Sequence, residues 1–497
     1  MDQSAVAEQA GSTRSGPASE PPVTVGAGPT SAGAGPSSAG AGPSSAGAGP
    51  SSAGDRPASS ASTTLISLGG AARDRLRRVI QPGPIGWAAF LACSWTWCIG
   101  MFLPVLFLRD YGGWGWLLFA VPNVVGAAAM GWMLRDPDAS RNLQQAHLSA
   151  CRAFSLVTLA FHAFFILALA PRLLGNEISG LTGILVLPFM LAVRGRGRGG
   201  RRATAVSAIV LALSVLAMLT VLAWSGLPTF PPPAKARTDL LWLAPVVFFG
   251  FLLDPYLDLT FHRARQSTTR AGGPTAFGLG FGVFFLLMIV FTAIYAPLLM
   301  DSLRTGRALS PRHDVFAAVL TIHIALQSAF TIAAHADALR ESRRPGQPVA
   351  DSDADAGPDG RVILGVVAVI LLALPLRVIQ NRFPSYHGLT SGEVIYRLFL
   401  AFYGLVFPAY MWLFTVPRRL RGGGRAVAAR PTRGQVIFFL AVLVLAAPMY
   451  WMSFIEGRMA WAVPGLLLVL VSRFLLPKPE TGPATPAAGL PGGVSVP

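Results

Sequence analysis

Apolar residues in this chain come in blocks of about twenty, not in the one-sided stripes of helices that pack on a soluble core. Blocks of that length match the thickness of a bilayer. Twelve are read as membrane spans, at roughly 85–108, 114–134, 151–170, 178–193, 203–224, 240–261, 276–299, 315–335, 362–379, 393–415, 435–455 and 459–476. The segments between them are short and carry most of the arginines. With the N-terminus on the cytoplasmic side, 27 basic residues fall on that side and 11 on the other. Removing or adding one span would put RGRGRGGRR and RRLRGGGR on opposite sides, so the positive-inside bias favours the even count, with both termini cytoplasmic. The predicted fold is all-α and integral to the membrane, with domains at 1–65 (tail), 66–84 (basic juxtamembrane segment), 85–476 (polytopic membrane domain) and 477–497 (tail).

Composition agrees, with 53% hydrophobic and 13% charged residues. The net charge of +17 does not point to nucleic acid, because the basic residues sit in the short connections that set orientation. The expected surroundings are the lipid bilayer and a small-molecule solute. Cys93, Cys98 and Cys151 fall in or beside spans and form neither a disulfide framework nor a zinc spacing. Residues 1–65 repeat AGAGPSS at 32–38, 39–45 and 46–52. Proline every seventh residue there excludes a coiled coil, and the composition cannot bury a core, so a disordered tail is expected. GGAARDRLRRVIQPGP then suits a helix on anionic headgroups. The acidic segment at 336–361 reads as a solvated linker, not a metal site.

Two spans depart from a plain anchor. Leu240 to Phe261, LLWLAPVVFFGFLLDPYLDLTF, carries Gly250, Asp254, Pro255, Tyr256 and Asp258. A carboxylate deep in a span is costly unless it faces a cavity or a partner. Proline removes a backbone donor and glycine loosens the same turn, so this helix is expected to kink or unwind between Gly250 and Pro255. Freed carbonyls beside an aspartate suit a cation. The first span holds WTWCIGMFLP, with Trp97 near its centre, where Gly100 and Pro104 are expected to interrupt the helix in the same way. Spans one and six cross in opposite directions, and interrupted spans at matching places in two inverted halves point to a transporter's binding site. Pro122, Pro188, Pro245, Pro297, Pro375, Pro408, Pro448 and Pro464 also lie in spans, so proline by itself marks no break.

Span eight places His323, Gln327, Thr331 and His335 at intervals of four, with Ser328 beside them. Residues four apart share a helix face, and a polar face should point into the bundle. It reads either as hydrogen-bonded packing or as ligation of a cation or solute by Ser328 and Thr331. His162 in span three is read as an interior histidine, and Asn123 as bonded to a neighbouring backbone group. GLGFG at 278–282 lies inside a span and is read as a site of close helix approach.

Together, WTWCIGMFLPVLFLRDYGGWGWLLFAVPNVVGAAAMG and GFLLDPYLDLTFHRAR resemble the first, second and sixth helices of LeuT-type sodium-coupled symporters of the amino acid-polyamine-organocation superfamily. That resemblance implies a five-plus-five inverted repeat with broken helices 1 and 6 around the solute. It also implies a sodium ion held by helix-one carbonyls and helix-eight hydroxyls. Carried to this chain, the solute site would use Trp97, Gly100, His162, Gly250, Asp254, Tyr256 and Gln327, and the ion Asp254, Ser328 and Thr331. No cofactor is implied beyond Na⁺ or H⁺ as coupling ion. Met101, Phe102 and Leu103 stand where the neurotransmitter-type pattern has Asn and Arg, so an amino-acid solute is not implied. Two other readings stay open. Asp254 and Asp258, one turn apart, could hold Mg²⁺ against a diphosphate as in membrane prenyltransferases, or the chain could be a receptor or scaffold that binds without transport.

Overall fold

A run of long apolar helices dominates a computed structural model that describes residues 82–194, 198–312, 314–342, 378, 385–416 and 430–476. In chain order these are α1 (Pro84–Trp95), α2 (Cys98–Met133), α3 (Pro137–Ala146), α4 (Leu148–Phe164) and α5 (Ala170–Leu174), then α6 (Glu177–Ala192) and α7 (Arg198–Ser225). The second half has α8 (Asp239–Leu253), α9 (Leu259–Ser267), α10 (Gly272–Leu279), α11 (Leu286–Thr305), α12 (Val315–Ser342), α13 (Ser391–Phe414), α14 (Arg433–Phe454) and α15 (Ala462–Leu475). Among the described residues, eight helical segments are long and apolar enough to cross a membrane, and Pro84–Trp95, Glu177–Ala192 and Met459–Leu475 are shorter apolar ones. This is the architecture of an all-α, multi-pass membrane protein. Every expected span except the ninth coincides with helix. The ninth, at 362–379, lies outside the described residues apart from Val378, as do the tails at 1–65 and 477–497 and most of the juxtamembrane segment.

Local chemistry accounts for the helix ends. Asp258 and Thr432 cap α9 and α14, and Thr432 forms a reciprocal capping box with Gln435. Side-chain oxygens there take up backbone N–H groups that have no partner inside the helix. Gly112 divides α2 into two helical pieces, with φ 67° and ψ −156°, a conformation open in practice to glycine alone. The expected spans one and two are thus one chain that turns at Gly112. π-Helical turns interrupt the third and seventh spans at Phe165–Leu169 and Gly280–Phe285.

α1 packs against α7 and α10, α2 against α8 and α11, and α12 against α6 and α4. Small residues set the closest approaches. A Cβ on Gly126 would stand 2.0 Å from the Phe251 carbonyl oxygen, so α2 and α8 meet backbone to backbone. Gly280, in the GLGFG string, lies against the Ala88 backbone of α1, where a Cβ would be 3.0 Å from its carbonyl oxygen. The outward faces stay apolar, with Ile209, Leu216, Val444 and Leu445 exposed, as lipid requires.

Two sequence expectations are corrected. α1 ends at Trp95 and α2 begins at Cys98, so the first break is at Thr96 and Trp97, and helix continues through Gly100 and Pro104. Ser94 and Thr96 donate their hydroxyls to the carbonyls of Leu91 and Ala92 in the last turn of α1, which ends ahead of the proline. In the sixth span Gly250 stays helical, and the break runs from Asp254 to Asp258, a 3₁₀ turn followed by extended backbone. Pro255 at the start of that turn supplies no N–H to continue α8.

Candidate functional site

The two breaks open onto one cleft. Trp95, Trp97 and Ile99 from the first broken helix, Gly250, Phe251 and Asp254 from the second, and Tyr403 and Gly404 of α13 line its deep part. Asp110, Tyr111 and Arg397 line the other end. Trp97 stacks on His162, with ring centroids 5.8 Å apart, and lies 5.0 Å from the ring of Tyr403. Trp95 donates its indole N–H to Asn123 Oδ1 at 2.6 Å; Asn123 therefore serves a side chain, not the backbone group expected. The His162 ring is fixed by Nδ1 on the Thr158 carbonyl at 2.9 Å, while its Nε2 is buried with no hydrogen-bond partner among the described residues. Asp254 is 5% exposed, and its Oδ1 likewise has no partner.

A second polar group joins α12 to α1 and α7. Thr331 donates its hydroxyl to the Cys93 carbonyl at 3.1 Å, three residues before the first break. Among the described residues Ser328 Oγ is buried without a partner, and Gln327 donates to Ser214 Oγ at 2.9 Å while its own Oε1 has none. All four residues of the stripe are buried, and they face different neighbours. His323 lies 4.7 Å from the Phe291 ring. His335 places Nδ1 3.2 Å from Ser155 Oγ and Nε2 3.8 Å from Asp258 Oδ2. Asp258 accepts from both the amide and the hydroxyl of Thr260, and that hydroxyl in turn reaches Ser94.

The named residues therefore separate into groups. Trp97, Gly250 and Asp254 share the cleft, with His162 behind Trp97. Gly100 follows the break inside α2, close to Phe285 of the neighbouring π turn. Thr331 and Gln327 both reach Cys93, and Ser328 lies between them in sequence on α12. Tyr256 does not line the cleft; its carbonyl accepts from His262 Nε2 at 2.9 Å. Asp254 and Asp258 serve different surroundings, cleft and α9 cap, so the turn between them does not present two carboxylates side by side. Among the described residues no group of three or more His, Cys, Asp or Glu side chains is placed to hold a metal. The three cysteines are buried and unbridged.

Charge closes each end of this region. Arg109 makes a two-pronged pair with Glu393 at 2.6 and 3.1 Å and also reaches Asp110 at 2.8 Å. Arg397 bonds Asp110 and Glu393, both at 2.8 Å. Lys235 approaches Asp110 at 3.7 Å, and burial, then the Arg397 charge, hold its ammonium below the usual lysine range. Beyond Asp258, Arg263 pairs with Asp337 at 2.8 Å, and its guanidinium lies 5.6 Å over the Phe90 ring of α1. Asp337 and Glu341 fell in the segment expected to be a solvated linker; as far as Ser342 it is helix, part of α12.

Sequence reasoning passed over Arg109, Asp110, Glu393, Arg397 and Tyr403. The available signal was charge out of place: RD directly before the glycine turn, and Glu-x-x-x-Arg inside an apolar block. No protein-family model and no curated protein matches the chain.

Proposed function

We propose that the chain is a cation-coupled secondary transporter of a small solute, built as a LeuT-type five-plus-five inverted repeat, with both termini cytoplasmic in a cell membrane. The observation that carries this is the Thr331 hydroxyl on the Cys93 carbonyl. It brings span eight to the last turn before the first break, and about one turn away on the same helix the Ser328 hydroxyl is buried with no partner among the described residues. Carbonyl oxygen at a helix break plus hydroxyls from a facing helix is an oxygen set suited to a hard monovalent cation, and breaks of this kind bind coupling ions in transporters of inverted-repeat design. The second break supplies the solute side, where Trp97 and Asp254 meet in one cleft. The pairing of Arg109 and Asp110 with Glu393 and Arg397 would serve as outer gate, and Arg263 with Asp337 as inner gate. Asp258 beside His335 supports H⁺ as the alternative coupling ion.

A membrane-embedded Mg²⁺ enzyme remains the rival class, and a cation titration separates the two. Purified protein in detergent should gain thermal stability with Na⁺ over K⁺ at constant ionic strength, or with pH if the proton is coupled, because a ligand that binds only the folded state stabilises it by mass action. A Mg²⁺ response in place of both, lost equally in Asp254→Asn and Asp258→Asn, would sink the transporter reading.

A further inference from the structure

The cleft's lining defines what can occupy it. Apart from its charged end, it is walled by Trp95, Trp97, Leu103, Val246, Phe251 and Tyr403, rings and aliphatic chains that fit an apolar body. Its single arginine is consumed, since Arg397 already bonds two carboxylates at 2.8 Å each. Asp110 at the same end is likewise paired, with Arg397 and Arg109. Asp254 is different. It sits 5% exposed at the deep end, where Oδ1 meets no donor and no cation pairs with it among the described residues. A buried carboxyl without a partner sheds its charge by holding a proton, so a ligand carboxylate there would find no cation, and a neutral ligand would meet the group only as a hydrogen-bonding partner. A cationic head is attracted twice, by the carboxylate and by the faces of aromatic rings, which favour ammonium groups within about 6 Å of a ring centre.

We propose that the cleft binds a small amine, with its protonated nitrogen on Asp254 and its apolar part against the aromatic lining along α2 and α8. This rests on reading the cleft as the solute site, and it adds the chemical class of the solute. Amine specificity comes from Asp254 alone, while the cation set at Cys93, Ser328 and Thr331 stays separate from it.

The test uses the full chain purified in detergent, with thermal stability read at fixed Na⁺ against phenethylamine, butylamine, 2-phenylethanol and 3-phenylpropanoate. Phenethylamine should stabilise most and butylamine less, with the alcohol and the carboxylate inactive. Asp254→Asn should weaken the amine response about tenfold or more, the scale of a lost charged hydrogen bond, and Asp254→Glu should keep part of it. Asp254→Asn keeps the shape of a carboxyl whose Oδ1 has no partner among the described residues, so its own melting temperature should hold, which separates lost binding from lost folding. An alcohol or carboxylate response equal to that of the amine, an amine response that survives Asp254→Asn, or no response to any amine would overturn the proposal. The Na⁺ response of the unliganded protein is read in the same plates, and if it persists in those cases, the amine assignment falls while the transporter reading stands.

Discussion

Thr331 and Thr321 lie on the same buried helix, yet their hydroxyls have different tasks. Thr331 supplies the Cys93 carbonyl with a donor, whereas Thr321 Oγ1 is buried with no partner among the described residues. Valine keeps the shape of threonine and removes the hydroxyl. Thr331→Val therefore leaves a buried carbonyl unsatisfied, at a cost of about 1 kcal/mol, and takes a ligand from the proposed ion site. The Na⁺ concentration for half-maximal stabilisation should rise about tenfold, the equivalent of about 1.4 kcal/mol. Ser328→Ala should act in the same direction. Thr321→Val should leave the Na⁺ midpoint unchanged and stability within about 0.5 kcal/mol or slightly improved. Equal Na⁺ shifts at 321 and 331 would mean that the polar stripe is packing and not a ligand set.

At the level of whole helices, the turn at Gly112 decides where α2 stops rising past the cleft and starts back along α8. Its φ of 67° with ψ −156° belongs to a region that costs other residues about 1–3 kcal/mol. A Cβ there would also stand 3.1 Å from Pro233. Gly113 is helical and its Cβ would meet nothing within 4 Å. Gly112→Ala should thus destabilise by about 1–3 kcal/mol, while Gly113→Ala should be neutral or stabilising by about 0.5–1 kcal/mol through helix propensity. Denaturant unfolding of the two variants checks this, and indistinguishable midpoints would contradict the turn. The pair also shows how far the sequence could be read. Apolar block length located the long apolar helices but not the polar α3, and the coincidence of glycine with proline, joined by aspartate in the sixth span, picked the two spans. The residues at which they break were not legible. Pro104, Pro122, Pro188, Pro245, Pro297, Pro408 and Pro448 all sit inside continuous helix. The first break falls at Thr96 and Trp97, ahead of the glycine and proline that mark its span, and the glycine that turns α2 was one of three neighbours in GGWG. The charge cluster was hidden for another reason, since Asp110 and Arg397 are 287 positions apart and only tertiary packing makes them one unit.

Across the molecule the proposed mechanism requires that the cleft be reachable from one side at a time, with the two ion-pair clusters holding the alternatives. At the Asp110 end, Glu393 is shared by Arg109 and Arg397 and is almost fully buried. Glu393→Gln would leave two guanidiniums with Asp110 as their remaining carboxylate. Removing one member of a buried pair is strongly unfavourable to the arrangement that contains it, so the closed form of this end should lose population. At the other end, Asp337→Asn would loosen Arg263 from α12 and should open the opposite side. Leu400 lines the cleft and makes a reporter when changed to cysteine, because Cys93, Cys98 and Cys151 are buried and contribute little background. In sealed cells, a charged, membrane-impermeant thiol reagent added outside should label Leu400→Cys about tenfold faster in the Glu393→Gln background, as a shift of about 1.4 kcal/mol between two states would give. The same reporter with Asp337→Asn should label more slowly than the parent, since opening the inner end draws population from the outward form. A cysteine at position 198, at the start of α7 in the arginine-rich segment expected to be cytoplasmic, should stay unlabelled throughout. If Glu393→Gln and Asp337→Asn change the rate in the same direction, the two clusters are not alternating gates, and efficient labelling at 198 would reverse the orientation on which inner and outer were assigned.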